Sequence, residues 1–188
     1  MNQADIIFKL KKGDKATFQE LVLDWQHKVY NTSLSIVQNE QDAEDITQEV
    51  FVTLHEQIAD FREEATLATW MYRITLSKSL DHEKRKRRQK HGGFVRRIFI
   101  MTPEDEPMNF DHPGILLDNK EKAAALFKAL KKLPEKQRVA FTLHKTEGLS
   151  YQEIARIMNT SLHAIESLQT RAKNNLKKIL KSYYQQHL

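Results

Sequence analysis

The chain has 188 residues, 40% of them apolar, with five glycines, four prolines and no cysteine. That length allows one large domain or two small ones, and so little turn chemistry argues against a sheet protein and predicts nearly all helix. Without cysteine there is no disulfide framework or thiolate metal site, and a net charge of +5 favours an acidic partner.

The opening "MNQADIIFKLKKGDK" lacks the basic-then-apolar order of a signal peptide. No apolar run approaches the roughly 20 residues that span a bilayer, so a soluble, cytoplasmic protein without membrane insertion is expected. Ile6, Ile7 and Leu10 predict a short first helix, ended by Gly13 and Asp14. Phe18, Leu21, Val22, Trp25 and Val29 then recur at helical spacing, and Ile36 continues the stripe. A second long helix is predicted from near Asp42, with Ile46, Val50, Leu54 and Ile58 on one side. A third runs from about Thr66 into a basic run, with Trp70, Ile74 and Leu80 as core candidates.

Charge is segregated along this half. Residues 40–64 hold nine acids and one base, Arg62, whereas residues 84–97, "KRKRRQKHGGFVRR", hold eight Lys or Arg and no acid. Blocks of opposite sign suggest at least two partners, one of them a polyanion, with a solvated tail as the alternative for the basic block. Residues 91–118 break the helical pattern with Gly92, Gly93, Pro103, Pro107, Pro113 and Gly114, and predict a linker. Helices resume with Ala123, Leu126, Phe127 and Leu130, and restart at Pro134, a good first helical position.

"GLSYQEIARIMNTSLHAIESLQTRAKNNLKK", residues 148–178, reads as two helices and a corner. Ser150 and Glu153 form a capping-box pattern, and Ser161 is placed to cap the second helix. Ile165, Leu168, Ala172, Leu176 and Ile179 repeat by three and four as an inward stripe. The other faces carry His163, Glu166, Ser167, Thr170, Arg171, Lys173, Asn174, Lys177 and Lys178. This is the helix-turn-helix layout, whose second helix enters the major groove, with donors and acceptors near its start and lysines beyond. An ordinary helical hairpin with a wet outer face is the alternative.

Upstream, "DAEDITQEVF" sets Asp42, Asp45 and Glu49 on one helical face beside Gln48. Carboxylates at that spacing raise a metal site, but no Glu-x-x-His or His-x-x-x-His pair accompanies them. Seen alone the stretch reads first as a solvated face; an acidic face with Phe51 at its edge suits docking on a basic protein surface better than it suits a metal.

Taken in order, "DAEDITQEVF", "TWMYRI", the basic run, "LPEKQRVAFTLHKTEGLSYQEIARIMNTS" and "RAKNNLKK" resemble the bacterial RNA polymerase sigma factors of the extracytoplasmic-function subgroup. The resemblance covers roughly residues 15–90 and 120–181. It implies an all-α protein of two small domains: residues 1–90 dock on core RNA polymerase and open the minus-ten element, 91–118 link, and 119–188 recognise the minus-thirty-five element. It assigns polymerase docking to Asp42, Asp45, Gln48, Glu49 and Phe51, and a base-gripping loop to residues 61–66. Minus-ten DNA contacts fall on Phe61, Arg62, Tyr72, Arg73, Ser77, Lys84, Arg85, Arg87 and Arg88. Minus-thirty-five contacts fall on His163, Glu166, Ser167, Thr170, Arg171 and Lys173. Core polymerase, promoter DNA and an anti-sigma protein are the implied partners, with no cofactor, no metal and no catalytic residue. Ser77 departs from the family, which usually has Asn there, so the usual minus-ten base preference does not carry over. Two rivals remain: a self-sufficient helix-turn-helix regulator with an amino-terminal sensing domain, and a metal enzyme using the carboxylates of residues 42–49.

Overall fold

In the computed structural model the backbone is described for residues 2–92 and 125–186, and side chains for 2–89 and 125–181. The expected linker, apart from residues 91 and 92 at the end of a helix, lies outside the described residues.

Local signals set the helix ends. α1, Gln3–Lys11, starts where the Asn2 side chain accepts from the Ala4 N–H. Gly13, at φ +76°, takes the left-handed turn that a side chain disfavours. Asp14 then caps α2, Lys15–Val37, accepting from the Thr17 N–H at 2.7 Å, and bonds from Thr17 hold its carboxyl below the usual range. Gln38 in the left-handed region and Asn39 as cap lead into α3, Glu40–Gln57. A 3-10 turn, Ile58–Asp60, and a loop precede α4, Leu67–Gly92, where the Thr66 hydroxyl accepts from the Thr69 N–H.

The second half comprises α5 (125–131), α6 (Glu135–Lys145), α7 (Tyr151–Ile157) and α8 (Leu162–Gln186). Pro134 is the N-cap of α6, one position before the expected place; its carbonyl accepts from the Gln137 and Arg138 N–H groups. Among the described residues there is no strand, and the all-α reading holds.

Helices α2, α3 and α4 pack on one another, and their core does not stop at the end of α4. The same apolar cluster continues through Val139, Ala140 and Leu143 of α6, Ile154 and Ile157 of α7, and Ile165 of α8. A second, smaller cluster joins Ala129, Leu130 and Leu133 to Ala172 and Leu176.

The shared core explains the end of α2. Residues 32–38 are all buried, although only some of them belong to an apolar stripe. Both α3 and α4 pack along α2, and α6 packs on it from the other half. Small hydroxyl residues suit such a crowded helix because they bond within it: the Ser35 hydroxyl donates to the Asn31 carbonyl at 2.7 Å.

Candidate nucleic-acid and polymerase interfaces

The corner at residues 148–162 is built by reciprocal capping. Ser150 accepts from the Glu153 N–H through its side chain, while the Glu153 carboxylate accepts from the Ser150 N–H at 2.8 Å. Those bonds hold the Glu153 carboxyl below its ordinary range. Asn159, at φ +49°, makes the break, and the Ser161 hydroxyl accepts from the Ala164 N–H to start α8. Inside the corner, Ile154 and Ile165 are fully buried, and Gln169 donates to the Ala140 carbonyl at 2.7 Å, which ties α8 to α6.

The outer face of α8 carries His163, Glu166, Thr170, Arg171 and Lys173 exposed and Ser167 half-buried. Their mutual contacts are weak. His163 lies 3.6 Å from Glu166 with most of its ring in solvent, and the Thr170 hydroxyl donates to the Glu166 carbonyl. Neither engages the rest of the protein, so all six side chains predicted for minus-thirty-five DNA share one accessible face.

The acidic face of α3 is less uniform than its sequence implies. Asp45, Gln48 and Glu49 are exposed, Glu49 lying 3.6 Å from Lys78 of α4. Asp42 is already engaged, with its carboxylate 2.6 Å from the Lys86 ammonium and 3.3 Å from His82. Phe51, expected as the apolar edge, belongs to the core at 9% exposure. It belongs to the same buried cluster as Val50, and the exposed apolar side chain here is its neighbour Val52.

The loop after the 3-10 turn frames an open recess of about 370 Å³ lined by Asp60, Phe61, Arg62, Glu63, Trp70 and Arg73. Phe61 is buried and stacks on Trp70 with ring centroids 4.7 Å apart, so its ring is committed to packing. Glu63 takes φ +58° and pairs with Lys11 at 3.2 Å. Along α4, Ser77, Lys84, Arg85, Arg87 and Arg88 are exposed. Lys84 pairs with Asp81 and Arg87 with Glu83, each at 3.7 Å.

Tyr72 and Arg73 differ from the rest of that helix. Tyr72 is 5% exposed; its ring meets Trp25 edge-on, and its hydroxyl donates to the Glu147 carboxylate at 3.2 Å. Burial pushes the Glu147 carboxyl up, against the Tyr72 and Thr32 hydroxyls and the Lys28 charge, which draw it down. Arg73 donates to the Arg156 carbonyl at 2.6 Å and more weakly to the Ile157 carbonyl at 3.4 Å. Neither Glu147 nor Gln38, which donates to the Phe127 carbonyl at 2.7 Å, carried a sequence signal for these roles. Their partners lie 75 and 89 residues away.

No described helix is long and apolar enough to cross a membrane, and the described residues hold no cluster of three or more metal-ligating side chains. An exposed helix-turn-helix face on a two-part helical scaffold defines the class of DNA-reading proteins. Comparison with known proteins narrows it. A model of sigma-70 region 2 matches residues 21–89, and one of sigma-70 region 4 matches residues 123–176. The chain is 31% identical over 183 residues to the RNA polymerase sigma-H factor of Pseudomonas aeruginosa, covering 93% of this chain and 92% of that one. It is 29% identical over 177 residues to the ECF RNA polymerase sigma-E factor of Escherichia coli, covering 89% and 88%. Among solved structures, CnrH in complex with the cytosolic domain of CnrY shares the fold with a TM-score of 0.70 at 20% identity, over 96% of this chain and 97% of that one. The sigma factor RpoE in complex with the anti-sigma factor NepR from Bartonella quintana follows, with a TM-score of 0.63 at 22% identity over 87% and 96%.

The chain therefore belongs to the extracytoplasmic-function subgroup of the sigma-70 family of RNA polymerase sigma factors. It directs promoter-specific transcription, and the sensing regulator is not favoured, because a region 2 model covers the half that reading needed for a ligand.

Proposed function

We propose that the two halves, residues 1–90 and 119–188 with 91–118 as linker, divide the work of promoter recognition on core RNA polymerase. Asp45, Gln48 and Glu49 dock on the polymerase, with Asp42 joining them once it leaves Lys86. Arg62, Arg73 and Ser77 face the opened minus-ten strand, while the buried Tyr72 supports that face from the core, and Lys84, Arg85, Arg87 and Arg88 neutralise the phosphates. On α8, His163, Glu166, Ser167, Thr170, Arg171 and Lys173 contact the minus-thirty-five duplex, where Glu166 can accept from a cytosine amino group. Opening is driven by binding energy, with no bond chemistry supplied by the chain, and the protein acts in the cytoplasm. An anti-sigma protein that covers the docking faces is the proposed regulator.

The observation that carries this reading is the exposed, unengaged outer face of α8 behind an intact capping box. Reconstituted transcription tests it. Core polymerase with this chain should initiate at discrete sites that core alone does not use. Asp45→Arg should reduce capture of core at least tenfold while the circular-dichroism melt is unchanged. Equal initiation with and without the chain sinks the reading.

A further inference from the structure

Among the described residues, three other than glycine take a positive φ: Gln38, Glu63 and Asn159. Gln38 closes α2 and Asn159 makes the break after α7, so a helix end accounts for both. Glu63 has no such reason. It stands midway in the loop between the 3-10 turn and α4, at φ +58°. A glutamate lacks the short polar side chain that settles this conformation locally, so a contact from outside the loop must hold it.

That contact comes from α1. Lys11, in its last turn, donates to the Glu63 carboxylate at 3.2 Å across 52 positions of chain. The helix that carries Lys11 is itself fixed, because Ile7 and Leu10 are buried in the cluster that holds Ile58 and Phe61, and α1 packs on the 3-10 turn. Gln3, at the other end of α1, lines a recess with Glu63, Glu64, Thr66 and Arg73. Charge gives the pair a second use. The open recess framed by the loop is lined by three carboxylates, Asp60, Glu63 and Glu64, and by two guanidinium groups, Arg62 and Arg73. Acids would thus outnumber bases where a polyanion enters, and Lys11 cancels the excess.

We propose that Lys11 is a positioning residue for the minus-ten strand, and that α1, which precedes the stretch 21–89 matched by the region 2 model, completes that site. Lys11 fixes the left-handed turn at Glu63, which keeps the adjoining Arg62 on the lining of the recess. It also neutralises a carboxylate that would otherwise repel the phosphates of the incoming strand. Lys11 acts through Glu63 and does not itself touch DNA. The inference rests on the proposed assignment of this loop to minus-ten DNA.

The test uses the full chain assembled on core polymerase, with a fluorescent probe carrying a single-stranded minus-ten element taken from a start site mapped by reconstituted transcription. Lys11→Met should weaken probe binding about fivefold, with capture of core and the circular-dichroism melt unchanged, since a half-exposed ion pair adds little to stability. Lys11→Arg should restore binding to within twofold. Glu63→Gly accepts the left-handed turn without strain and removes the carboxylate. It should bind the probe normally, and adding Lys11→Met to it should have no further effect. The proposal is overturned if Lys11→Met binds within twofold of the unsubstituted chain, if Lys11→Arg does not restore binding, or if the loss is as large in the Glu63→Gly background. Arg62→Ala checks the reading underneath. No loss of probe binding there sinks the assignment of the loop to minus-ten DNA, whereas a loss in Arg62→Ala with none in Lys11→Met sinks only the role of Lys11.

Discussion

Two helices of this protein are assigned to DNA, and they present themselves in different ways. On α8 the polar face stands in solvent, and its contacts are confined to its own neighbours, His163 to Glu166 and Thr170 to a carbonyl one turn back. On α4, Ser77, Lys84, Arg85, Arg87 and Arg88 are likewise exposed, but Tyr72 is packed against Trp25 and bonded to Glu147, and Arg73 is bonded to the end of α7. The proposed contact face of α8 is therefore free of the rest of the fold, whereas two of the residues proposed on α4 have partners in it. α8 packs on α6 and α7 within its own half, whereas α4 packs on α2 and α3 of its own half and on α7 of the other.

The largest effect expected from this contrast lies in the shared core. Leu143 of α6 is fully buried in the cluster that spans both halves, so Leu143→Ala should cost about 2–5 kcal/mol. Chemical denaturation should show one transition moving to lower denaturant. Two transitions, only one of them shifted, would mean that the halves fold independently and that the contrast between α4 and α8 has no structural basis.

Next in size is Tyr72→Phe, which leaves the half-buried Glu147 carboxylate without its donor. A loss of about 1–3 kcal/mol of stability is expected. Its counterpart on the open helix, Arg171→Ala, should leave the melting temperature unchanged. It should weaken minus-thirty-five-dependent transcription roughly tenfold, the size of one good base or phosphate contact. A stability loss in Arg171→Ala, or none in Tyr72→Phe, would erase the distinction.

The smallest effect is on pH. Burial raises the Glu147 carboxyl above its ordinary value in the folded chain, while Tyr72, Thr32 and Lys28 limit the rise. A group with a raised value in the folded state binds its proton more tightly there. Its contribution to stability is therefore fully present below the unfolded value and is lost as pH rises through the folded one. The melting temperature should thus rise on mild acidification, and Glu147→Gln should flatten that response.

The features that sequence foretold most closely are those fixed within one or two helical turns. The capping box of Ser150 and Glu153, the inward stripe from Ile165 to Leu176 and the start of α3 near Asp42 all depend on neighbours three or four residues apart. The same local logic placed the six predicted side chains of α8 on one face. Phe51 was misread for want of a non-local fact, since helical angle says which residues share a side but not whether a second helix covers it. Asp42 is expected on the docking face with its neighbours, and nothing near it in sequence announces its pairing with Lys86, 44 residues on.

The amino-acid order alone settled the helical class, the helix-turn-helix corner and the segregation of acid from base, because propensity, capping and periodicity act over short distances in the chain. Only the tertiary fold decided that the two halves share a core, that Thr32 to Gln38 is buried on every side, and that Tyr72 and Arg73 are held by α7 and its approach. Those facts arise where segments dozens of residues apart exclude water from one another. Such contacts depend on shape and burial, which no local pattern encodes.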